Sequence, residues 1–390
     1  MQMILLLAIL LLGMAAFLSA EVWQHNRHLR GIPLRITVSG TRGKTTVVRS
    51  LASVMRLAGY RVLAKTTGSE ARYILPDGSE EPVKRSGITT ILEQKRLIRK
   101  AAGLRANCVI AEIMSIQPAN HLVETRQLLQ PGLTILTNFR TDHTDVVPDH
   151  PEAIAAVFAN DIYPGSTVII PDQEITPLIR EAIREKKARL VTAEPGVHAL
   201  ACLPGELSAR QVAVNLDLVA ATALELGITP TLMAEGIRQA RMDIGNPLIF
   251  KLKHHDKHIW FINAFAANDP QSTRLLVEQA EGLTEAVHSG RVALLALRPD
   301  RGERSQQWLE YLLGEGREMF GKVYLAGGHS VVLQRRIPGA IRLIGRDPAA
   351  LTRQLASDLP DGTRVYGIGN IGGLGSDLVR EWIKSASDVL

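Results

Sequence analysis

The sequence has few cysteines, few aromatic residues and no large excess of charge of either sign. Its two cysteines, Cys108 and Cys202, are too few for a disulfide framework or a cysteine-ligated metal cluster, and they fit a reducing compartment. The net charge is only +6 over 390 residues. Because no nucleic-acid-binding motif accompanies it, we expect no nucleic-acid partner. The chain has no internal repeat or low-complexity tract, and it is long enough for two or three domains.

The first feature that is present is an apolar run over residues 3–20 that contains no charged residue. It is just long enough to cross a bilayer as a helix. Arg27, Arg30 and Arg35 follow the run and no basic residue precedes it, which by the positive-inside tendency keeps the rest of the chain in the cytoplasm. A cleaved signal peptide is the alternative, since residues 18–20 offer a small-residue cleavage site. We predict a single-pass anchor in the cell membrane over residues 1–22.

Beyond this segment, short runs rich in Val, Ile and Leu alternate with helical patterns. The strands predicted on this pattern are 34–38, 61–65, 107–113, 133–137, 167–170 and 189–192, followed by 249–252, 259–263, 292–297, 323–326, 341–344 and 365–368. Such alternation predicts an α/β fold with mostly parallel sheets that helices cover on both faces. We expect a larger central domain over residues 30–245 and a smaller α/β domain over residues 247–390.

Residues 36–46, with the sequence ITVSGTRGKTT, follow the pattern of a phosphate-binding loop between a strand and a helix. Main-chain N–H groups in such a turn, with a helix N-terminus behind them, bind anions. Lys44 can reach the β- and γ-phosphate oxygens of a nucleotide, and the Thr45 hydroxyl can hold Mg²⁺. Val38 stands where the usual motif has its first glycine, so a glycine turn without function is the alternative. We predict a nucleoside triphosphate site in the central domain.

Polar residues follow two of the predicted strands directly. Glu112 lies at the end of the strand over residues 107–113, and the loop after residues 133–137 carries Asn138, Asp142, His143 and Asp145. The carboxyl ends of parallel strands are where open α/β sheets bind ligands. A carboxylate there could hold Mg²⁺ directly or through water, and a neutral imidazole could also be a metal ligand. A surface acid without function is the alternative for Glu112.

The second half of the chain repeats this arrangement. Residues 263–272 and 298–304 are polar and follow predicted strands, and the second segment is rich in arginine. Arginines in such loops can bind carboxylates in bidentate fashion. Each segment alone could be a solvated loop. Their recurrence at strand ends predicts a second surface that closes onto the first.

Together these residues resemble the Mur ligase superfamily of ATP-dependent amide-forming ligases. Within it they are similar to the ligase subunit of poly-γ-glutamate synthase (PgsB/CapB type). The segments typical of that branch are TTGSEARYILPDG, FAANDPQST, LRPDRGERSQQW and YGIGNIGG, together with a membrane segment in place of a substrate-binding first domain. The resemblance extends over essentially the whole chain after the anchor.

The resemblance implies roles for individual residues. Those expected to bind the nucleotide or substrate are Gly40, Thr41, Arg42, Gly43, Lys44, Thr45, Thr46, Asn215, Asn263, Asn268, Asp269, Arg298, Asp300, Arg301 and Arg304. The metal ligands it implies are Thr45, Glu112 and His143, and the catalytic residues are Lys44, Glu112 and His143. Two positions depart from the pattern: Asn263 stands where many relatives have Asp, and residues 155–163 lack the carbamylated lysine that several relatives carry.

The resemblance also implies the reaction. ATP and Mg²⁺ would activate the γ-carboxyl group of glutamate as an acyl phosphate, and the growing poly-γ-glutamate chain would form as amide bonds follow. Small integral-membrane subunits of the synthase are the implied partners. Two alternatives stay open, namely a ligase for another amino acid or acceptor, such as a folate-like or peptide acceptor, and a membrane-tethered P-loop ATPase that acts as a switch.

Overall fold

The computed structural model describes the chain except for residues 1, 69, 86–89, 116, 140–150, 195–208, 242–243, 246–247, 268–269, 282–289 and 390. The chain divides into two compact units. The first unit comprises Met1–Leu203 and Gln211–Arg241, and the second comprises Pro204–Arg210 and Met242–Leu390.

The first unit is a sheet of eight strands with helices on both faces. Its strands are β1 Leu34–Ser39, β2 Val62–Thr66, β3 Arg72–Ile74, β4 Glu80–Pro82, β5 Cys108–Glu112, β6 Leu133–Leu136, β7 Thr167–Pro171 and β8 Arg189–Ala193. Its helices are α1 Gln2–Arg30, α2 Lys44–Leu57, α3 Leu92–Gly103, α4 Pro118–Val123, α5 Pro151–Ala159, α6 Pro177–Glu185, α7 Ala209–Glu225 and α8 Pro230–Gln239. The strand order is β4-β3-β2-β5-β1-β6-β7-β8.

The central strand of this sheet is β1, which pairs in parallel with β5 on one side and β6 on the other. Ile36 and Val38 of β1 are buried among the apolar residues of α2 and α7. The segments that follow β1, β5 and β6 therefore meet at one edge of the sheet. These are the segments in which the sequence predicts the phosphate loop, Glu112 and the polar loop after residue 137.

Two parts of the first unit, a hairpin and a helix, add to the elements that the sequence predicts. The segment after β2 contains the antiparallel hairpin of β3 and β4 at the sheet edge. Helix α8 starts at Pro230, and the Thr229 hydroxyl caps it by accepting from the N–H of Leu232. Proline suits a first turn because its missing N–H would have no helical partner there.

Helix α1 has two distinct parts. Its apolar half is exposed, and among the described residues it is the one helix long and apolar enough to cross a membrane. Its last turns instead pack on the first unit, where Leu29 is buried and Glu21 forms an ion pair with Lys95. Arg35 donates from Nη1 to the main-chain oxygens of Leu29 and Ile32, at 3.1 and 2.6 Å, and so satisfies carbonyls at the helix end. A signal sequence would have the same length and composition.

Cys108 is a core residue. It is completely buried in β5, and burial raises the pKa of its thiol to about 12, so the thiolate is not populated at neutral pH. Cys202 lies outside the described residues.

The second unit is built on a sheet of seven strands in the order β13-β12-β11-β14-β10-β9-β15. These strands are β9 Ile249–His254, β10 Lys257–Asn263, β11 Arg291–Leu297, β12 Lys322–Gly327, β13 Ile341–Arg342, β14 Arg364–Gly369 and β15 Asp388–Val389. The helices are α9 Pro270–Glu281, α10 Gly302–Leu313, α11 Gly316–Met319, α12 Ser330–Arg336, α13 Pro348–Asp358 and α14 Ser376–Ser385. The buried Trp382 ring of α14 packs on β10 and the segment after it. Its ring centroid lies 4.9 Å from that of Phe261 and 5.6 Å from that of Phe265.

Candidate active site

The loop between β1 and α2 can be made only with glycine at two positions. Gly40 and Gly43 have φ of 119° and 86°, in the region that side chains other than glycine rarely adopt. A Cβ atom at Gly40 would lie 2.2 Å from Oγ1 of Thr137, and one at Gly43 would lie 2.2 Å from Oδ1 of Asn215. The two glycines thus let the loop approach its neighbours closely. The predicted residue Asn215 is placed directly against the loop.

Asn138 holds the loop from the neighbouring strand. Its main-chain oxygen accepts from the N–H of Thr41 at 2.9 Å, and its side-chain oxygen accepts from the N–H of Arg42 at 3.2 Å. Its side-chain nitrogen donates to the main-chain oxygen of Arg42 at 2.9 Å. The sequence indicated Asn138 as part of a polar loop but gave it no separate role. The structure shows that it fixes the shape of the phosphate loop.

Lys44 lies over the same loop. Its Nζ donates to the main-chain oxygens of Gly40 at 2.6 Å and Thr41 at 3.1 Å. Gly43 precedes the helix and provides no side-chain cap, and the first turn of α2 carries no acidic residue. The positive end of the helix and the ammonium group therefore face the same loop. This is an arrangement that favours a bound polyanion such as a nucleotide phosphate.

Thr45 and Glu112 are brought together as the sequence predicted. Oγ1 of Thr45 donates to Oε2 of Glu112 at 3.0 Å, and the same oxygen accepts from the N–H of Thr67 at 2.8 Å. Glu112 is only 2% exposed. One hydroxyl and one carboxylate, completed by phosphate oxygens and water, match the way in which Mg²⁺ is usually held in proteins. The residues present therefore fit a nucleotide with a divalent cation, although the described part of the chain contains no group of three or more His, Cys, Asp and Glu.

Several predicted site residues lie outside the described residues. These are Asp142, His143 and Asp145 of the loop after β6, and Asn268 and Asp269 before α9. Their roles stay predictions.

A buried ion pair beneath the loop was missed by the sequence analysis. Asp161, which is fully buried, lies 2.9 Å from Nδ1 of His121 and accepts from Oγ of Ser39 at 2.5 Å. Ser39 is the last residue of β1, directly before Gly40. Oγ1 of Thr125 also donates to Asp161, at 3.2 Å. Asp161 therefore connects the start of the phosphate loop to α4 and to the π-helical segment Glu124–Leu129, which follows α4 directly.

The electrostatics of this pair favour a charged imidazole. Burial alone would lower the pKa of His121, but the attraction of Asp161, its hydrogen bond and the nearby Glu124 outweigh burial and raise that pKa. The nearby Lys44 ammonium acts in the opposite direction. Asp161 belongs to the stretch 155–163, in which the sequence lacks the lysine of some relatives. This stretch thus contributes a buried acid that accepts from Ser39, directly before the phosphate loop.

The second unit brings its predicted residues together at the ends of β11 and β14. Arg298 donates to both carboxylate oxygens of Asp300, at 2.9 and 2.6 Å. Nη1 of Arg304 donates to Oδ1 of Asn370 at 3.2 Å. Arg301 lies between them, directly before α10. The charged residues of the predicted segment therefore form one cluster on the strand-end loops, and Asn370 joins it from the segment YGIGNIGG.

Asn263, at the end of β10, contacts the segment that precedes β9. It is 1% exposed, and its Nδ2 donates to the main-chain oxygen of Ile244 at 2.7 Å. The structure therefore gives it a contact that holds the chain at the start of the second unit. Its predicted contact with nucleotide or substrate stays a prediction.

Comparisons with known families cover both units. Residues 38–233 match the family described as Mur ligase middle domain. Residues 249–385 match the family described as poly-gamma-glutamate synthase CapB C-terminal domain.

Individual relatives agree with these matches. The chain is 30% identical over 298 residues to the capsule biosynthesis protein CapB of Bacillus anthracis, covering 75% of this chain and 64% of that protein, which is less than two thirds of its length. It is 27% identical over 375 residues to the PGA synthase CapB of Bacillus subtilis (strain 168), covering 93% of each.

A solved structure with the same fold is the bifunctional folylpolyglutamate synthase/dihydrofolate synthase of Yersinia pestis, complexed with AMPPNP and Mn ion. It has a TM-score of 0.65 and 17% identity, and the match covers 92% of both chains. At this identity the likeness is one of fold alone. It confirms the predicted fold, a Mur ligase-like α/β protein with mostly parallel sheets in two domains.

Proposed function

We propose a function from the premise that this chain belongs to the Mur ligase superfamily, as a member of its poly-gamma-glutamate synthase CapB family. The matches to the two families confirm the resemblance that the sequence motifs indicated. The chain is an ATP-dependent amide ligase that joins glutamate units through their γ-carboxyl groups. The observation that carries this proposal is the contact of Thr45 with the buried Glu112 beside Lys44, at a loop that only glycine can form.

The reaction follows from what such a loop can stabilise. A γ-carboxylate oxygen of glutamate attacks the γ-phosphorus of ATP, the bond from that phosphorus to the leaving oxygen of ADP breaks, and an acyl phosphate results. The amine of a second glutamate then attacks the acyl carbon, phosphate leaves, and the amine loses a proton. Lys44 and the N–H groups of the loop neutralise the charge on the transferred group, which is mainly a matter of position and electrostatics.

Mg²⁺ is the divalent cation that we propose for this site. Thr45 and Glu112 would hold it, and it would supply charge neutralisation at the phosphate oxygens. The Yersinia pestis structure was obtained with Mn ion, which has the same charge as Mg²⁺ and a similar preference for oxygen ligands. His143 would serve a second cation.

Substrate recognition is assigned to the charged cluster of the second unit. Arg298, Arg301 and Arg304 offer planar donors that match carboxylates, which both glutamate and its polymer carry. Asn268 and Asp269 would contact the phosphate or substrate. The exposed apolar half of α1 would anchor the chain in the cell membrane, where small integral-membrane subunits would receive the growing polyanion.

The test is the incorporation of labelled glutamate into acid-precipitable polymer by membranes that carry this chain and the products of its neighbouring genes. Lys44→Ala should abolish the polymer, and Lys253→Ala, which changes the same residue type at an exposed position of β9 in the second unit, should not. Polymer that forms without ATP, or with Lys44→Ala, would refute the proposal. ATP breakdown stimulated by a different amino acid would keep the ligase and replace the substrate. Breakdown indifferent to every acceptor would favour a switch.

A further inference from the structure

A second polar cavity lies in the first unit, away from the phosphate loop. It has a volume of about 480 Å³ and lies between the middle of α2, the turn of the β3–β4 hairpin and the end of α8. We call it the arginine cavity and define it by Arg49, Ser53, Arg56, Glu80 and Arg241, which all line it. Cavities of this size commonly hold small molecules.

The arginine cavity is separate from the site of phosphate transfer. An α-helix rises about 1.5 Å per residue, so Arg49 and Arg56 lie about 8 and 18 Å from Lys44 along α2. Val62, at the start of β2, also lines the cavity. The cavity thus faces the amino end of β2, whereas the phosphate loop lies at the carboxyl ends of the strands. Neither the nucleotide nor the proposed reaction makes use of this part of the unit.

The cavity wall contains buried donors that no neighbour satisfies. Arg49 is 8% exposed and Ser53 is 6% exposed. Arg49 donates from Nη1 and Nη2 to the two carboxylate oxygens of Glu80, at 2.6 and 3.2 Å. Its Nε and the Oγ of Ser53 are buried without a hydrogen-bond partner in the described part of the chain. Leaving such donors buried and unpaired is unfavourable, and an acceptor brought by a ligand would offset that cost.

The charges around the cavity favour an anion. Arg56 donates to the main-chain oxygen of Asp77 at 3.1 Å, and the carboxylate of Asp77 instead accepts from the N–H and hydroxyl of Ser79. Neither Arg56 nor the exposed Arg241 forms an ion pair with a carboxylate among the residues that the structure describes. Glu80 compensates Arg49 alone. Guanidinium groups can only donate, so the missing partner must be an acceptor.

We propose that the arginine cavity is a second anion-binding site, for a small molecule that carries a carboxylate or a phosphate. Arg49 and Ser53 bind the oxyanion from the buried side, and Arg56 and Arg241 bind it from the open side. Glu80 competes with the ligand for Arg49. This inference goes beyond the proposed ligase function and does not depend on it.

The experiment is calorimetric titration of the full chain in detergent, with tri-γ-glutamate and with inorganic phosphate as separate probes. It is done in the Lys44→Ala background, which weakens phosphate binding at the loop. We expect Arg49→Gln and Arg241→Gln each to weaken binding about tenfold or more, since each removes a charge-assisted hydrogen bond. Glu80→Gln should tighten binding, because it releases the Arg49 guanidinium. Arg184→Gln, at an exposed arginine of α6, is the matched control and should change nothing.

The variants keep the test decisive. If Arg49→Gln fails to fold because Glu80 is left without its partner, the double variant Arg49→Gln/Glu80→Gln and the exposed Arg241→Gln still report on the cavity. If Arg241→Gln weakens the binding of tri-γ-glutamate alone, the cavity takes a carboxylate ligand, and if it weakens the binding of phosphate alone, the cavity takes a phosphate ligand. If neither probe binds, or if Arg49→Gln and Arg241→Gln bind as Arg184→Gln does, the proposal is wrong. Because binding and polymer synthesis are measured separately, failure of one does not decide the other.

Discussion

In the first unit the residues of the phosphate loop and Glu112 are held by the main chain and by buried partners, whereas in the second unit Arg298 and Asp300 lie on the loop after β11 and pair with each other. The phosphate loop is fixed by three hydrogen bonds to Asn138 and by the buried Asp161 beneath it. Arg298 and Asp300, in contrast, are 37% and 57% exposed and two residues apart. Replacing a residue that contacts the site should therefore lower stability or activity far more in the first unit than in the second.

The difference matters for chemistry. Donors that must stabilise a transferring phosphoryl group are most effective when they are already in place, because no reorganisation is then needed during the reaction. Side chains that bind a series of lengthening substrates gain from being able to move. The two units therefore match the two tasks proposed for them, and the following predictions compare them.

Gly43→Ala should have the largest effect. The new methyl group would clash with Asn215, and φ of 86° disfavours any side chain. A displacement of the loop by about 1 Å would lower kcat/KM for ATP by about a hundredfold. Steady-state kinetics of glutamate-dependent ATP breakdown measure this. Gly339→Ala in the second unit has a similar φ of 77° but nothing within 4 Å of the new atom, so it should keep most of the activity. Equal losses in both variants would show that backbone strain, and not the contact with Asn215, is responsible.

Asp161→Asn should have the next largest effect, this time on stability. It removes a charge that is fully buried beside His121 and leaves the other partner uncompensated, a change that costs about 3 kcal/mol. Thermal unfolding of the full chain in detergent, followed by the transition of the first unit, would measure it. Asp172→Asn, at an exposed acid of the same unit, is the control and should leave the transition in place. A transition unchanged by Asp161→Asn would mean that the pair contributes nothing net.

These partners also show where sequence prediction ends. The phosphate loop and Glu112 could be predicted because each follows a run of apolar residues that forms a buried strand. His121 and Asp161 lie 40 residues apart in the chain, and no local pattern connects them; only the folded sheet does. Arg35 illustrates the same limit, since it was interpreted as a positive charge flanking the membrane segment. Its guanidinium in fact holds the end of α1.

The pH dependence of stability should differ between the two units, and this effect should be smaller than that of Asp161→Asn. Attraction by Asp161 outweighs burial and raises the pKa of His121 above its ordinary value of 6.5. A histidine whose pKa rises on folding stabilises the protein fully below the unfolded value, and this contribution is lost as pH rises through the folded value. The stability difference between the wild type and His121→Gln should therefore shrink as pH rises above 6.5. His254 in the second unit has a lowered pKa, chiefly through desolvation, so His254→Gln should not reproduce this decline.

The smallest effect is expected for the pair of Arg298 and Asp300. A double-mutant cycle with Arg298→Gln and Asp300→Asn should give almost no coupling in unfolding, because exposed ion pairs are screened by water and salt. The hydrogen bonds to Asp300 raise the pKa of Arg298, but that side chain is charged at any usable pH, so no pH dependence follows. Arg298→Gln should nevertheless raise KM for glutamate about tenfold, since a bidentate contact with a carboxylate would be lost. Together these results would show a residue whose charge serves the substrate more than the fold. A large coupling with an unchanged KM would reverse that conclusion. It would show that the second unit, like the first, uses these residues to hold the fold.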